Sequence, residues 1–152
     1  MTDAPPRGLE ERLRDTRARL ESDVDLWVAT SGTPGGVHLI PLSFLWDGTA
    51  FLVSTPRTSV TSRNLLADDR VRLSLGPTRD VVVVDATAEP VDLADLAPRT
   101  GEAFANKTGF DPRESDEQDY QFFLIRPRRI QAWREANELR GRHLMRDGRW
   151  LG

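Results

Sequence analysis

A strand, a polar loop and a helix start follow one another within a single segment of the chain, Phe51-Leu-Val-Ser-Thr-Pro-Arg-Thr-Ser-Val-Thr-Ser-Arg-Asn-Leu65. The apolar start of this segment predicts a strand, and the hydroxyl residues that follow predict a polar loop. Thr58 and Ser59 are both good N-cap residues, so we expect a short helix to begin near Ser59. Leu65 and Leu66 are predicted to form its buried face.

The same loop has the composition of an anion-binding site. Arg57 and Arg63 stand among its hydroxyl residues, and Asn64 follows directly. Hydroxyl donors, free backbone N–H groups at a helix start and guanidinium groups together favour a phosphate-bearing ligand. The alternative, from the same residues, is a capped helix whose arginines point into solvent.

Composition limits the class of protein. At 152 residues and 17.1 kDa the chain is expected to form one domain, residues 1–152, and its net charge of −3 argues against nucleic-acid binding. The chain has no cysteine, which excludes disulfides, thiolate catalysis and Cys-ligated metals. Two histidines, His38 and His143, are too few for a histidine-rich metal site. Without a signal-peptide pattern or a run of ~20 apolar residues, we expect a cytoplasmic protein that does not enter membranes.

The residues before this segment predict a helix and a hairpin. Leu9, Leu13 and Leu20 recur at near-helical spacing, which predicts an amphipathic helix within residues 1–22, from about Gly8 to Ser22. Further expected features are a strand at Leu26–Thr30, a turn at Ser31–Gly36, a return strand at Val37–Trp46 and a hairpin turn at Asp47-Gly48. Pro41 in the return strand indicates a bulge or a sheet edge.

The residues after the segment predict more strands. They are Val71–Leu75, Asp80–Glu89 with Val81–Val84 as a continuous core, Tyr120–Ile125, Ile130–Trp133 and a closing hairpin at His143–Trp150 with its turn at Asp147-Gly148. A helix is expected at Leu93–Phe104, interrupted by Pro98 and Gly101. Residues 23–152 are therefore predicted to be mainly β with flanking helices, a six- or seven-stranded antiparallel barrel or sandwich.

Several short patterns occur in the order typical of one family. They are Ala29-Thr30 before a glycine turn, Val37-His38, Pro41 and Phe44, then Arg63-Asn-Leu65, Arg70-Val71, and Arg126-Pro-Arg-Arg-Ile-Gln-Ala-Trp133. In this order the chain resembles the split β-barrel flavin-binding family, which includes pyridoxamine 5′-phosphate oxidases and actinobacterial deazaflavin-dependent reductases. The resemblance covers about residues 20 to 151 and implies a split β-barrel.

The resemblance also implies a function. It implies an oxidoreductase that transfers hydride to or from a small molecule, with FMN or the deazaflavin F420 in grooves between the subunits of a homodimer. The cofactor-binding residues it implies are Leu42, Ser43, Phe44, Ser54, Thr55, Arg57, Ser59, Thr61, Arg63 and Asn64, with the partner subunit's Trp133 and the partner subunit's Arg142. The cofactor supplies the chemistry, so no catalytic side chain is expected.

The sequence departs from the family pattern in two places. Many family members carry a lysine in the phosphate loop where this chain has Thr61 or its neighbours, and Asp69 replaces a usual proline. The basic residues that face the substrate in pyridoxamine phosphate oxidases are not evident, so vitamin B6 oxidation is not the expected activity. Two alternatives stay open: a flavin- or haem-binding carrier or sensor without turnover, and a dimeric barrel that has lost its cofactor.

Overall fold

The computed structural model describes residues 4–116 and 118–152. The first three positions of the predicted N-terminal region, and Glu117, lie outside the described residues. Within the described part the helices are α1 Leu9–Ser22, α2 Val60–Ala67 and α3 Pro98–Thr108. The strands there are β1 Asp25–Thr33, β2 Gly36–Trp46, β3 Phe51–Pro56, β4 Arg70–Leu75, β5 Val81–Val91, β6 Tyr120–Trp133, β7 His143–Arg146 and β8 Arg149–Trp150.

Six of these strands close into a barrel. The order is β3-β2-β1-β4-β5-β6, and β3 pairs with β6 to complete the ring. Every pairing is antiparallel, while β7 adds to β6 and β8 adds to β7 outside the ring. The predicted antiparallel split β-barrel with flanking helices is confirmed.

The barrel interior is filled by side chains. Phe51 has no exposed surface and packs against Phe44 and Trp46, with ring centroids 5.7 and 4.7 Å away. Val82 and Val84 face this core, whereas Val81 and Val83 are half-buried on the other face. The prediction of a continuous Val81–Val84 core was therefore wrong, because side chains in a strand alternate between its two faces.

Two strand predictions changed in detail. β6 is one strand of 14 residues, where the sequence predicted two segments joined by a basic link. Pro127 is tolerated because the β5–β6 register shifts beside it, between Asp85 and Ala86. Pro41 lies at an edge, since β2 pairs with β3 only from Phe44 onward, and it forms no bulge.

The helices cover the barrel with narrower apolar faces than predicted. In α1, Leu13 and Leu20 are buried but Leu9 is 42 % exposed. In α2, Leu65 is buried and Leu66 is 54 % exposed, which corrects the two-leucine face. Pro98 begins α3 instead of interrupting it, because proline is favoured in a first helical turn. No helix in the described ranges has both the length and the apolar character that a bilayer crossing requires.

Candidate functional site

The loop between β3 and α2 is organised by Ser59. Its side chain accepts a hydrogen bond from the Ser62 backbone N–H at 3.1 Å, and its hydroxyl lies 2.9 Å from the Thr55 hydroxyl. Ser59 has extended backbone geometry, as an N-cap residue should. The predicted cap is confirmed, and it fixes the direction in which the first amides of α2 point.

Several polar atoms around this cap are buried without a partner. Among the described residues, the hydroxyl oxygens of Ser54, Thr61 and Ser62 and the Oδ1 atom of Asn64 accept and donate no hydrogen bond. A buried polar group without a partner costs about 1–3 kcal/mol, so such groups usually mark a bound water or ligand. The loop therefore has unused hydrogen-bonding capacity where the sequence predicted a phosphate site.

The two arginines of this loop differ. The Arg57 guanidinium donates to the Asp119 carboxylate at 2.9 Å and to Oε1 of Gln121 at 2.7 Å, so its charge is already paired. Arg63 is exposed, and within the described part of the chain its guanidinium makes no hydrogen bond or ion pair. Arg63 is thus the guanidinium that is free to meet an anion.

Thr61 and Asn64 contribute from beneath the loop. Thr61 has no exposed surface, so the position where the family often has lysine holds a buried neutral group. Asn64 is 1 % exposed, and its amide nitrogen donates to the Thr30 hydroxyl at 3.0 Å. This bond ties α2 to β1 and supports the loop from inside.

The β2 residues of the predicted site offer mainly backbone. The Phe44 side chain is fully buried, and the Lys107 amine lies 4.0 Å from its ring centroid. Burial lowers the pKa of Lys107, whose amine has no hydrogen-bond partner among the described residues. The Ser43 hydroxyl donates to Asp25 at 2.7 Å, and Leu42 packs against the core. Only the open backbone edge of β2 before Phe44 remains available for a planar ring.

Trp133 and Arg142 lie at the other end of β6. The strand begins beside the loop, where Gln121 pairs with Thr55, and it ends where Trp133 pairs with Val81. At 3.3 Å per residue, the two ends are about 40 Å apart along the strand. Trp133, and Arg142 beyond it, thus lie at the opposite end of β6 from the α2 loop.

The segment that carries Arg142 is firmly held. The Arg142 guanidinium donates to Oε1 of Gln131 at 2.9 Å and to the Leu139 carbonyl at 2.8 Å. One Arg12 nitrogen also donates to three carbonyls of this region, those of Ala132, Glu138 and Gly141. Arg12 of α1 thus holds the backbone of the segment that precedes Arg142.

A buried ion pair completes this attachment. Arg7 and Glu138 have side chains only 5 % and 3 % exposed, and they meet at 2.8 Å. Hydrogen bonds from Arg7 lower the pKa of Glu138 to about 2. Sequence reasoning missed this pair because both residues stand in polar segments without periodic pattern, and 131 positions separate them.

The chain belongs to the pyridoxamine 5′-phosphate oxidase family, whose model matches residues 14–134. No curated protein gives a match. Solved structures with the same fold include an F420 reductase, at 19 % identity and a TM-score of 0.60 over 75 % of this chain and 94 % of that one.

Two further solved structures show the range of this fold. A protein from Clostridium acetobutylicum, related to general stress protein 26 of B. subtilis and assigned to the pyridoxinephosphate oxidase family, is 17 % identical, with a TM-score of 0.66 over 83 % of this chain and 90 % of that one. HutZ, the haem storage protein of Vibrio cholerae, is also 17 % identical, with a TM-score of 0.62 over 83 % and 95 %. At these identities the similarity establishes the fold alone.

Proposed function

We propose that the protein is a cytoplasmic oxidoreductase that binds FMN or F420 and transfers hydride to or from a small organic substrate. The observation that carries this proposal is the loop at the start of α2. It combines buried hydroxyl groups without partners, capped helix amides and the unpaired guanidinium of Arg63. Family membership supports a flavin-type ligand at this place.

The residues of the loop fit the phosphate end of such a cofactor. The Arg63 guanidinium has no ion-pair partner among the described residues, and a guanidinium binds phosphate through two parallel N–H groups. Ser54 and Ser62 provide hydroxyl groups with free hydrogen-bonding capacity. Arg57 is held by Asp119 and Gln121, so it would add only a weaker electrostatic attraction.

The other residues would bind and shield the ring. When bound, a flavin or deazaflavin ring supplies the hydride chemistry. The open edge of β2 at Leu42 and Ser43 has backbone N–H and C=O groups that can orient the polar rim of a ring. No side chain of the loop is needed as a nucleophile.

We also propose that the complete site needs two copies of the chain. The α2 loop and the residues Trp133 and Arg142 lie at opposite ends of β6, and in this proposal a second subunit brings them to a common ligand. The outer face of β1 and β2 supports association, because Trp27, Leu39 and Val37 are 49 %, 58 % and 78 % exposed there. Such a patch of large apolar side chains is typical of an interface.

A second candidate is a carrier or sensor that binds flavin or haem without turnover. The buried Thr61 favours it, because a loop with one free arginine holds phosphate less firmly than a loop with an added lysine. HutZ shows that the same fold occurs in a haem storage protein. Kinetics of cofactor reduction and reoxidation with candidate donors separate a carrier from an enzyme.

The first experiment is a titration of the purified protein with FMN and, separately, with F420, followed by absorbance and fluorescence. We expect saturable binding of one of them. If the folded protein binds neither, the oxidoreductase proposal fails and a barrel without cofactor is favoured.

Arg63→Ala tests the phosphate site directly. Loss of a charge-assisted hydrogen bond to phosphate should weaken cofactor binding by about 1.5–3 kcal/mol. Arg99→Ala is the matched control, because Arg99 is also exposed and has no partner in the described chain. An Arg63→Ala dissociation constant equal to that of the control would remove Arg63 from the site.

A further inference from the structure

A depression lined by arginines lies on the outer wall of the barrel. Two adjoining hollows of about 610 and 560 Å³ share Asp85, Arg128 and Arg129 in their walls. Arg72 borders the first hollow, and Arg146 and His143 border the second. We call these six residues and the space between them the arginine groove.

A cross-strand row forms the centre of the arginine groove. Asp85 of β5 pairs with Arg72 of β4 on one side and with Arg129 of β6 on the other. Its two carboxylate oxygens accept from the two guanidiniums at 2.5 and 2.7 Å. One carboxylate thus faces two cations, and a positive charge remains without compensation.

The second hollow is lined by Arg128 and Arg146, together with Asp147 of the turn between β7 and β8. Arg128 and Arg146 form no ion pair within residues 4–116 and 118–152. The Arg128 backbone carbonyl accepts from the Gly148 N–H at 2.8 Å, and its guanidinium lies against the same turn, so that a Cβ at Gly148 would meet it at 3.4 Å. The turn between β7 and β8 therefore orients Arg128.

His143 brings a buried polar atom to the same place. Its Nδ1 atom has no hydrogen-bond partner in the described chain. Burial, followed by Arg146, Arg142 and Arg129, lowers the pKa of its ring. The same arginines that lower the pKa of His143 give this hollow a positive local potential, which the two acids in its lining, Asp85 and Asp147, only partly offset.

We propose that the arginine groove binds a small oxyanion ligand, a molecule that carries a phosphate group or clustered carboxylates. Among the described residues, Arg128 and Arg146 are unpaired, and Arg72 and Arg129 share the single carboxylate of Asp85. These guanidiniums suit such a ligand, because guanidinium N–H donors bind phosphate and carboxylate through two parallel hydrogen bonds. The charged residues of the site are carried by β4, β5, β6 and β7, and none of them belongs to the proposed cofactor loop. The net charge of the chain is −3, so a local cluster of arginines such as this one attracts anions to one part of an otherwise acidic surface.

The test compares two double variants that remove the same charge. R128A/R146A empties the arginine groove of its unpaired cations, and R14A/R99A removes two exposed, unpaired arginines from α1 and α3. Calorimetric titration at constant ionic strength uses inorganic phosphate and citrate as probes. We expect at least one probe to bind the unaltered protein, to bind R128A/R146A at least tenfold more weakly, and to bind R14A/R99A within twofold of the unaltered protein.

Each outcome decides the proposal. Tighter binding of phosphate would identify a phosphate ester as the ligand, and tighter binding of citrate a polycarboxylate. The proposal fails if neither probe binds the unaltered protein, or if both double variants lose probe affinity equally. FMN and F420 titrations distinguish the two proposed sites. If R128A/R146A loses probe binding but still binds a cofactor, the probe and the cofactor bind to different residues. If the unaltered protein binds a probe but neither cofactor, the proposal for the arginine groove stands and the proposed function fails.

Discussion

Glu138 is an acid with almost no access to water, and four N–H groups are directed at it. Three come from Arg7, at 2.8, 3.0 and 2.8 Å, and one is the Arg134 backbone N–H at 2.9 Å. Glu138→Ala would leave the Arg7 guanidinium buried, with Asp15 as its nearest remaining acid. Because removing one partner of a buried pair is costly, we expect a loss of about 3 kcal/mol in unfolding free energy, measured by urea denaturation.

Glu135→Ala provides the contrasting variant. Its partner Arg79 is 76 % exposed, and the pair is separated by 3.3 Å. An exposed pair of this kind contributes less than about 1 kcal/mol. Equal losses in the Glu138 and Glu135 variants would show that the buried pair adds no more than a surface pair.

The same acid makes stability depend on pH. Its pKa falls from an ordinary 4.5 to about 2 in the folded state. A lowered folded-state pKa adds stability above the unfolded value, and that contribution is lost as pH falls from about 4.5 towards 2. Between about pH 4.5 and pH 2, the urea midpoint of unfolding should fall less for Glu138→Gln than for the unaltered protein. Equal pH dependence of the two proteins would contradict the role given to the Glu138 carboxylate.

The start of α2 can be tested as an element. Ser59→Ala removes the N-cap acceptor and the hydroxyl contact to Thr55, which should cost about 1 kcal/mol. For a chain of this length that corresponds to roughly 2–4 °C in Tm. Thr58→Ala is the control, since Thr58 is exposed and makes no side-chain hydrogen bond within the described residues. Matching Tm values for the two variants would exclude Ser59 as the stabilising cap.

Elements that depend on nearby residues could be predicted from the sequence. The Ser59 cap, the turn at Asp47-Gly48 and the closing hairpin all follow from short local patterns, and each is confirmed. The continuity of β6 could not be predicted, because its tolerance of Pro127 depends on how β5 pairs beside it. Likewise, Leu66 looks apolar in sequence, and only the docking of α2 leaves it exposed.

The candidate site shows the same division. Its hydroxyl-rich loop was evident from composition, but which of Arg57 and Arg63 is free depends on Asp119 and Gln121, more than fifty positions later. The resemblance named residues at both ends of β6, and only the barrel geometry reveals how far apart they lie. The arginine groove was invisible in sequence because its cations come from several strands.

At the scale of the whole molecule, the exposed apolar face of β1 and β2 predicts self-association. A charge at its centre should disfavour the buried state of a dimer, so Leu39→Asp should shift the sedimentation profile from dimer to monomer. Leu93→Asp is the control, because Leu93 is 38 % exposed on a different surface. A dimer that survives Leu39→Asp unchanged would place the interface elsewhere.

The distance in sequence between Arg7 and Glu138 also bears on how the protein is made. With 131 positions separating them, the ion pair cannot form until residue 138 has left the ribosome. Contacts with such long separation are slow to form, and we expect this one to form after the folding barrier is crossed. Glu138→Ala should then leave the refolding rate almost unaltered and speed unfolding, so that the Arg7 segment before α1 helps to determine how long the folded barrel persists once it exists.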